Sequence, residues 1–126
     1  MGSLRSIAVV GLLLFAFSLS GFGQGGGPYE NARRLVGRVQ GNVKRAAEFD
    51  ASSAKERERI DNALKHLAEF DRELAKNHYD KGILDTAISD VQNIVDHNTI
   101  SPRDREILTH DLGELRSLRT NKGASY

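Results

Sequence analysis

The chain has 126 residues, a formal net charge of +1 and no cysteine. A chain of this length forms at most one domain, and without cysteine it can hold no disulfide, thiolate metal site or cysteine nucleophile. The only charged residue before Pro28 is Arg5, so the rest of the chain carries 17 basic and 17 acidic residues. This neutral balance argues against nucleic acid as the main partner, because that affinity depends on an excess of basic side chains.

Residues 1–23 have the layout of a secretory signal peptide. A basic residue precedes an unbroken apolar run over residues 7–17, and small residues follow it. Their alternate spacing allows cleavage after Ser20 or after Gly23. The alternative, an uncleaved anchor over residues 7–22, is shorter than the roughly 20 apolar residues that a membrane span prefers. We therefore predict an exported protein, secreted or periplasmic, which contacts the membrane only through this leader.

A flexible glycine-rich tether, residues 24–28, precedes the first predicted helix. Over residues 29–49 the apolar side chains keep a helical period and share one face. They are Ala32, Leu35, Val36, Val39, Val43, Ala46 and Ala47. Gly37 and Gly41 lie off that face, and each costs a helix about 1 kcal/mol relative to alanine. This position favours a solvent-facing side, and their GxxxG spacing makes docking of a second helix the alternative.

The cleanest helical period lies in residues 53–78. Its apolar stripe consists of Ile60, Leu64, Leu67 and Leu74, with Ala63 and Phe70 slightly off its centre. Ser53 and Glu56 have the spacing of a capping box, so the helix is predicted to begin there. The opposite face is polar, which excludes a membrane span and means that the stripe needs partners elsewhere in the chain.

Two shorter amphipathic helices are predicted to follow. Asp80 is the expected N-cap of a helix over residues 81–96, and Asn98 fits the left-handed residue that commonly closes a helix. Ser101 and Pro102 then suit the N-cap and first position of a fourth helix. Because both helices carry an apolar face, they are expected to pack against the two longer helices.

Four amphipathic helices without a strand pattern predict an all-α fold, a small up-down helical bundle of about four helices after an N-terminal signal peptide. The single helical domain covers residues 29–119, and a polar, disordered tail covers residues 120–126. The unequal helix lengths also allow a long hairpin with the shorter pair packed across it. A dimer that completes a thin core is a further alternative.

Charge is distributed unevenly among these helices. Residues 28–49 carry five basic and two acidic side chains, whereas residues 79–98 carry one and four. This complementarity favours placing the first helix beside the third. The alternative interpretation is a basic face that contacts an anionic envelope polymer or lipid headgroup. That face consists of Arg33, Arg34, Arg38, Lys44 and Arg45.

Asp71 and Asp111 are the carboxylates most in need of explanation, because both fall within the apolar sector of their helices. A buried carboxylate needs a partner, and Arg72 and Arg119 are close in sequence. The favoured interpretation is a rim position or an orienting salt bridge. The alternative is a ligand or metal site inside the bundle around the two aspartates and His66. No histidine follows a glutamate at the spacing of bundle metal sites, so neither a metal nor another cofactor is predicted.

The sequence contains no nucleophile elbow, phosphate-binding glycine loop or paired metal motif, so no enzyme is expected. The favoured hypothesis is an exported helical interaction or structural protein that binds an unknown protein partner or self-associates. The alternative is a small-ligand or metal carrier. The candidate interaction or ligand residues are Asp71, Asp111, His66, Arg33, Arg34 and Arg38.

Overall fold

The computed structural model describes residues 27–49 and 53–123. These ranges form four helices and no strand, and no helix among them is long and apolar enough to cross a membrane. The helices are α1 (Glu30–Phe49), α2 (Ala54–Ala75), α3 (Lys81–His97) and α4 (Pro102–Thr120). The predicted signal peptide, its two cleavage sites and most of the tether lie outside the described residues.

The four helices form a ring. Each packs against the next one in the chain, and α1 closes the ring against α4. Short connections make successive helices antiparallel, so this is the predicted up-down bundle. We call each interface between two neighbouring helices a seam.

The two helices of opposite net charge, α1 and α3, do not share a seam. The prediction that charge places them side by side is therefore wrong. Exposed ion pairs contribute at most about 1 kcal/mol each. Short connections and apolar faces outweigh such pairs, and they determine which helices become neighbours.

The apolar stripes of all four helices meet inside the ring. The fully buried side chains include Val36, Val39 and Val43 of α1, Leu67, Phe70 and Leu74 of α2, Leu84 and Ile94 of α3, and Leu108, Leu112, Leu115 and Leu118 of α4. Phe70 has no exposed surface, although the helical period places it off the centre of its stripe. Its ring contacts Tyr79 edge to face, with ring centroids 6.1 Å apart.

The predicted N-caps of α2, α3 and α4 are confirmed. The side-chain oxygens of Ser53, Asp80 and Ser101 each accept a hydrogen bond from the backbone amide three residues later, at 2.9–3.1 Å. Pro102 occupies the first turn of α4, as predicted. These contacts satisfy amides that a helix start would otherwise leave unpaired.

Asn98 does not adopt the left-handed conformation that we expected. Its backbone is extended, with φ −90° and ψ 155°, and the left-handed helix ends are at Asn77 and Lys122 instead. The Asn98 side chain is buried and reaches α2. Its amide donates to the Glu56 carbonyl at 3.1 Å, and its oxygen accepts from Arg59 at 3.0 Å. These hydrogen bonds outweigh the local preference of asparagine for a left-handed helix end.

The C-terminal end of the bundle is more ordered than the predicted tail. Helix α4 runs to Thr120, and the buried Gly123 beyond it has φ 95°. A Cβ atom on Gly123 would lie 2.9 Å from the ring of Tyr29 and 3.0 Å from that of Tyr79. Only glycine fits this close approach, which closes the end of the core. Residues 124–126 lie outside the described residues.

Gly37 and Gly41 face open space on α1, since a Cβ atom at either position would meet nothing within 4 Å. Replacing either glycine with alanine is expected to raise the free energy of unfolding by about 1 kcal/mol, because alanine is the better helix former. For a domain of this size that corresponds to a rise in Tm of about 4–8 °C. Thermal unfolding followed by circular dichroism measures it.

Gly113→Ala on α4 is the matched control, because that position is equally open. It should raise Tm by a similar amount. If both α1 variants lowered Tm while the control raised it, the outer face of α1 would have to pack against a further helix.

Candidate functional site

The first seam, between α1 and α2, holds Arg33 and Asp71. The guanidinium donates two hydrogen bonds to the carboxylate, from Nε to Oδ1 at 2.9 Å and from Nη2 to Oδ2 at 3.1 Å. These hydrogen bonds raise the pKa of Arg33. Asp71 is 29% exposed, so the rim position is confirmed. Its partner is Arg33, which forms a bidentate contact with the carboxylate. The neighbouring Arg72, which the sequence offered, does not form this contact.

The seam between α1 and α4 holds Asp111, whose side chain is only 2% exposed. Asn42 donates a hydrogen bond from Nδ2 to its Oδ2 at 2.7 Å. The Nε of Arg38 lies 3.8 Å from its Oδ1, and the same guanidinium donates a hydrogen bond to Glu114. Burial raises the pKa of Asp111, while the Asn42 hydrogen bond and the charge of Arg38 oppose this rise.

Arg119, which the sequence offered as a partner for Asp111, lies instead on the seam between α3 and α4. Its Nη1 donates to Asp85 at 3.2 Å. A hydrogen bond from Lys81, together with Arg119, lowers the pKa of Asp85. The pKa of the buried Asp111 on α4 is therefore raised, whereas that of the partly exposed Asp85 on α3 is lowered. The directions differ because only Asp111 is removed from water.

His66 lies on the remaining seam, between α2 and α3. Its Nδ1 is 2.5 Å from Oδ2 of Asp90, and both side chains are partly buried. His66, Asp71 and Asp111 thus lie on three different seams. The structure does not bring them together, so the ligand site that was the alternative for these residues is not formed by them.

The predicted basic face of α1 is largely paired within the chain. Besides the two arginines already described, Arg34 donates to Glu30 at 2.7 Å and to Asn31 at 2.8 Å. Lys44 and Arg45 are exposed. Three of the five basic side chains are therefore bonded to carboxylates of the same protein, which leaves less positive charge for an external anion than the sequence suggests.

Two groups of donor atoms among the described residues are close enough to surround a metal ion. They are Glu73, His78 and Asp80, and His110, Asp111 and Glu114, with donor atoms within 4.8 Å of one another in each group. The guanidinium of Arg38 lies beside Asp111 and Glu114 of the second group and already supplies a positive charge there. We therefore do not assign this group as a metal site.

The first group lies where α2 ends and α3 begins, with Glu73 in the last turn of α2 and Asp80 at the N-cap of α3. Nδ1 of His78 is 2.7 Å from Glu73, and Nζ of Lys76 is 3.3 Å from the same carboxylate. Hydrogen bonds from His78 and then Lys76 lower the pKa of Glu73. Sequence reasoning missed this group because its spacing is not that of one helix face. The left-handed conformation of Asn77 turns the chain so that the three residues come together. The sequence signal for this turn is an asparagine directly after the helical period.

An open cleft of about 550 Å³ follows the seam between α1 and α2. Its lining includes Tyr29, Leu74 and the Arg33–Asp71 pair. The volume is in the range of small-molecule sites. Its central charged groups are already bonded to each other, however, so no nucleophile or acid–base pair converges on it.

The chain has no match among models of protein families, curated proteins or solved structures. Its own geometry is therefore the basis for assigning a function.

Proposed function

We propose that the protein is a small exported helical module without catalytic activity, which acts by binding a protein partner or a second copy of itself. One observation carries this proposal. Asp71, Asp111 and His66 lie on three separate seams, and each of the six candidate residues has a partner within the chain. A catalytic site or a carrier site needs groups that converge on one bound molecule.

The division of surface and core supports the same conclusion. Most large apolar side chains of the described helices are buried in one core, and the exposed positions carry mainly charged, polar and glycine residues. Polar side-chain contacts connect helices across all four seams, as ion pairs on three of them and as the His66–Asp90 contact on the fourth. Such contacts specify how helices align, and a rigidly aligned bundle presents stable outer faces to a partner.

Export is the part of the proposal that rests on sequence alone. The basic, apolar and small-residue regions of residues 1–23 are arranged as in a signal peptide. The mature chain is then expected to begin at Gly21 or Gln24. N-terminal sequencing of protein recovered from the producing cell's envelope or medium tests this, and a mature protein that still began at Met1 would remove the localisation.

A metal carrier is the second hypothesis, and the Glu73–His78–Asp80 group is the observation that favours it. Imidazole and carboxylate are suitable zinc ligands. His78 is exposed and the two carboxylates are partly buried, and Asp80 also caps α3. Binding there would have to compete with the helix cap and with Lys76, which makes this hypothesis the weaker one.

One experiment separates the two hypotheses. The full chain is expressed with a C-terminal tag, crosslinked in the intact cell, and analysed for stoichiometric adducts and for its mass in solution. The interaction hypothesis predicts a defined adduct with one partner or a dimer. A monomer without adducts would contradict it.

The metal hypothesis is tested on the same protein by thermal unfolding with and without Zn²⁺. The carrier hypothesis predicts a large rise in Tm that His78→Gln abolishes, because ligand binding to the folded state raises stability. His110→Gln is the matched control and should leave the rise unchanged. The interaction hypothesis predicts no such rise in either protein.

A further inference from the structure

The seam between α1 and α4 holds the most deeply buried carboxylate of the described chain. Asp111 is 2% exposed, compared with 8% for Asp104. It receives one hydrogen bond, from Asn42, and its nearest cation is 3.8 Å away. A charged carboxylate usually needs two or three donors or a close cation when it is removed from water. The ionised form of Asp111 is therefore incompletely compensated.

The charges that act on Asp111 come from both helices of the seam. Arg38 lies on α1, and Glu114 and His110 lie on α4. Arg38 is shared, because its guanidinium also donates to Glu114. His110 is exposed and 3.8 Å from Glu114. When His110 is neutral, two carboxylates share one cation, and the cluster lacks one proton for electrical neutrality.

We propose that the seam between α1 and α4 is a pH-responsive closure, which tightens as the surroundings acidify because Asp111 takes up a proton from solvent. Oxygen atoms of Asp111 and Glu114 lie within 4.8 Å of each other. At this separation the two negative charges repel each other, and a proton on Asp111 removes that repulsion. Neutral Asp111 still accepts the hydrogen bond from Asn42, and Arg38 remains paired with Glu114.

The direction follows from linkage between protonation and closure. In an open seam Asp111 is in water and has its ordinary pKa, whereas burial raises the pKa in the closed seam. The closed form therefore binds the proton more tightly. The closed form gains stability as the pH falls through the raised pKa, and the gain is complete below the ordinary pKa.

Rim carboxylates respond in the opposite direction and at lower pH. The pKa of Asp85 is lowered by Lys81 and Arg119. Its contribution is present above the ordinary aspartate pKa and is lost as the pH falls through the lowered one. The tightening at Asp111 and the loosening at Asp85 therefore occupy different pH ranges. The pH range above the ordinary aspartate pKa isolates the first.

The structural consequence concerns the first and last helices of the bundle. Helix α1 is held between α2 and α4. A seam that holds an incompletely compensated buried carboxylate opens more readily when Asp111 is ionised than when it is protonated. This pH-dependent closure does not depend on the proposed function, because it concerns only the stability of the closed bundle.

The experiment compares urea unfolding of the full chain at a series of pH values, from about pH 7.5 down to the ordinary aspartate pKa of about 3.9, in the wild type, Asp111→Asn and His110→Gln. Asparagine keeps the shape of the side chain and can still accept from Asn42. The wild-type urea midpoint should rise on acidification clearly more than that of Asp111→Asn. His110→Gln should keep the wild-type response, because it leaves both carboxylates in place.

Two results would overturn the inference. The first is a rise of the urea midpoint on acidification that is still present in Asp111→Asn but absent in His110→Gln. The proton would then bind the imidazole of His110 and not Asp111. The second is obtained on the wild type alone, which removes any dependence on how the variants fold. Carbon NMR titration of the Asp111 carboxyl should give a midpoint above that of an ordinary aspartate, and a midpoint at or below that value would contradict the proposal.

Discussion

Phe70→Ala is expected to lower the free energy of unfolding by about 3–5 kcal/mol, the usual loss when a buried phenylalanine is truncated. Phe70 is fully buried and contacts the ring of Tyr79 edge to face. The alanine leaves a cavity beside the C-terminal part of α2 and also removes an aromatic contact that stabilises by about 0.5–1.5 kcal/mol. Because a domain of this size has only about 5–15 kcal/mol of stability, urea unfolding should show a greatly reduced midpoint.

Tyr79→Phe is the matched control, because it keeps the aromatic contact and removes only a hydroxyl. That hydroxyl donates to the Arg119 carbonyl at 3.4 Å, a long hydrogen bond. The control should therefore lose less than about 1 kcal/mol. A loss for Phe70→Ala as small as that of the control would show that the Phe70 ring is not in the core.

Asn98→Gly is expected to lower the free energy of unfolding by about 1–3 kcal/mol, because it removes the side chain that links the α3–α4 connection to α2. The Glu56 carbonyl loses the hydrogen bond from the Asn98 amide, and Arg59 loses its acceptor there. If Asn98 were a left-handed helix end, glycine would fit at least as well. The sign of the change therefore distinguishes the two conformations, and urea unfolding measures it.

Asn77→Gly provides the matched control for that substitution. Asn77 has φ 62° and ends α2, with its amide donating to the Leu74 carbonyl. Glycine adopts this conformation without strain, so the variant should be as stable as the wild type or more stable. Destabilisation at residue 77 together with stabilisation at residue 98 would reverse the assignment of the two helix ends.

The helices and their starts could be predicted because their causes are local. The apolar period of each helix lies within one continuous segment. The caps at Ser53, Asp80 and Ser101 each need only an oxygen three residues before an unpaired amide. None of these features depends on which helices become neighbours, so the sequence pattern was sufficient.

The contacts between helices could not be predicted in the same way. A helical period shows which side of a helix is buried, but it does not show which neighbour lies there. Asp71 pairs with Arg33, 38 residues away, whereas the sequence offered the adjacent Arg72 as one available partner. The order of the helices also follows from packing, which is why the charge complementarity of α1 and α3 was misleading.

The candidate site shows the same limit. Sequence reasoning identified two carboxylates that needed a partner, and both have one in the structure. It could not show that Asp71, Asp111 and His66 lie on separate seams. It also missed the Glu73–His78–Asp80 group, whose geometry depends on one left-handed residue between the two helices.

The neighbour order of the helices is the central claim, because every seam contact depends on it. A paramagnetic label on Gly41→Cys tests this order directly. The chain has no other cysteine, and the position is open. Among the three helices that do not carry the label, amide signals should broaden strongly in α2 and α4 and least in α3. Strong broadening of α3 with weak broadening of α4 would contradict the ring.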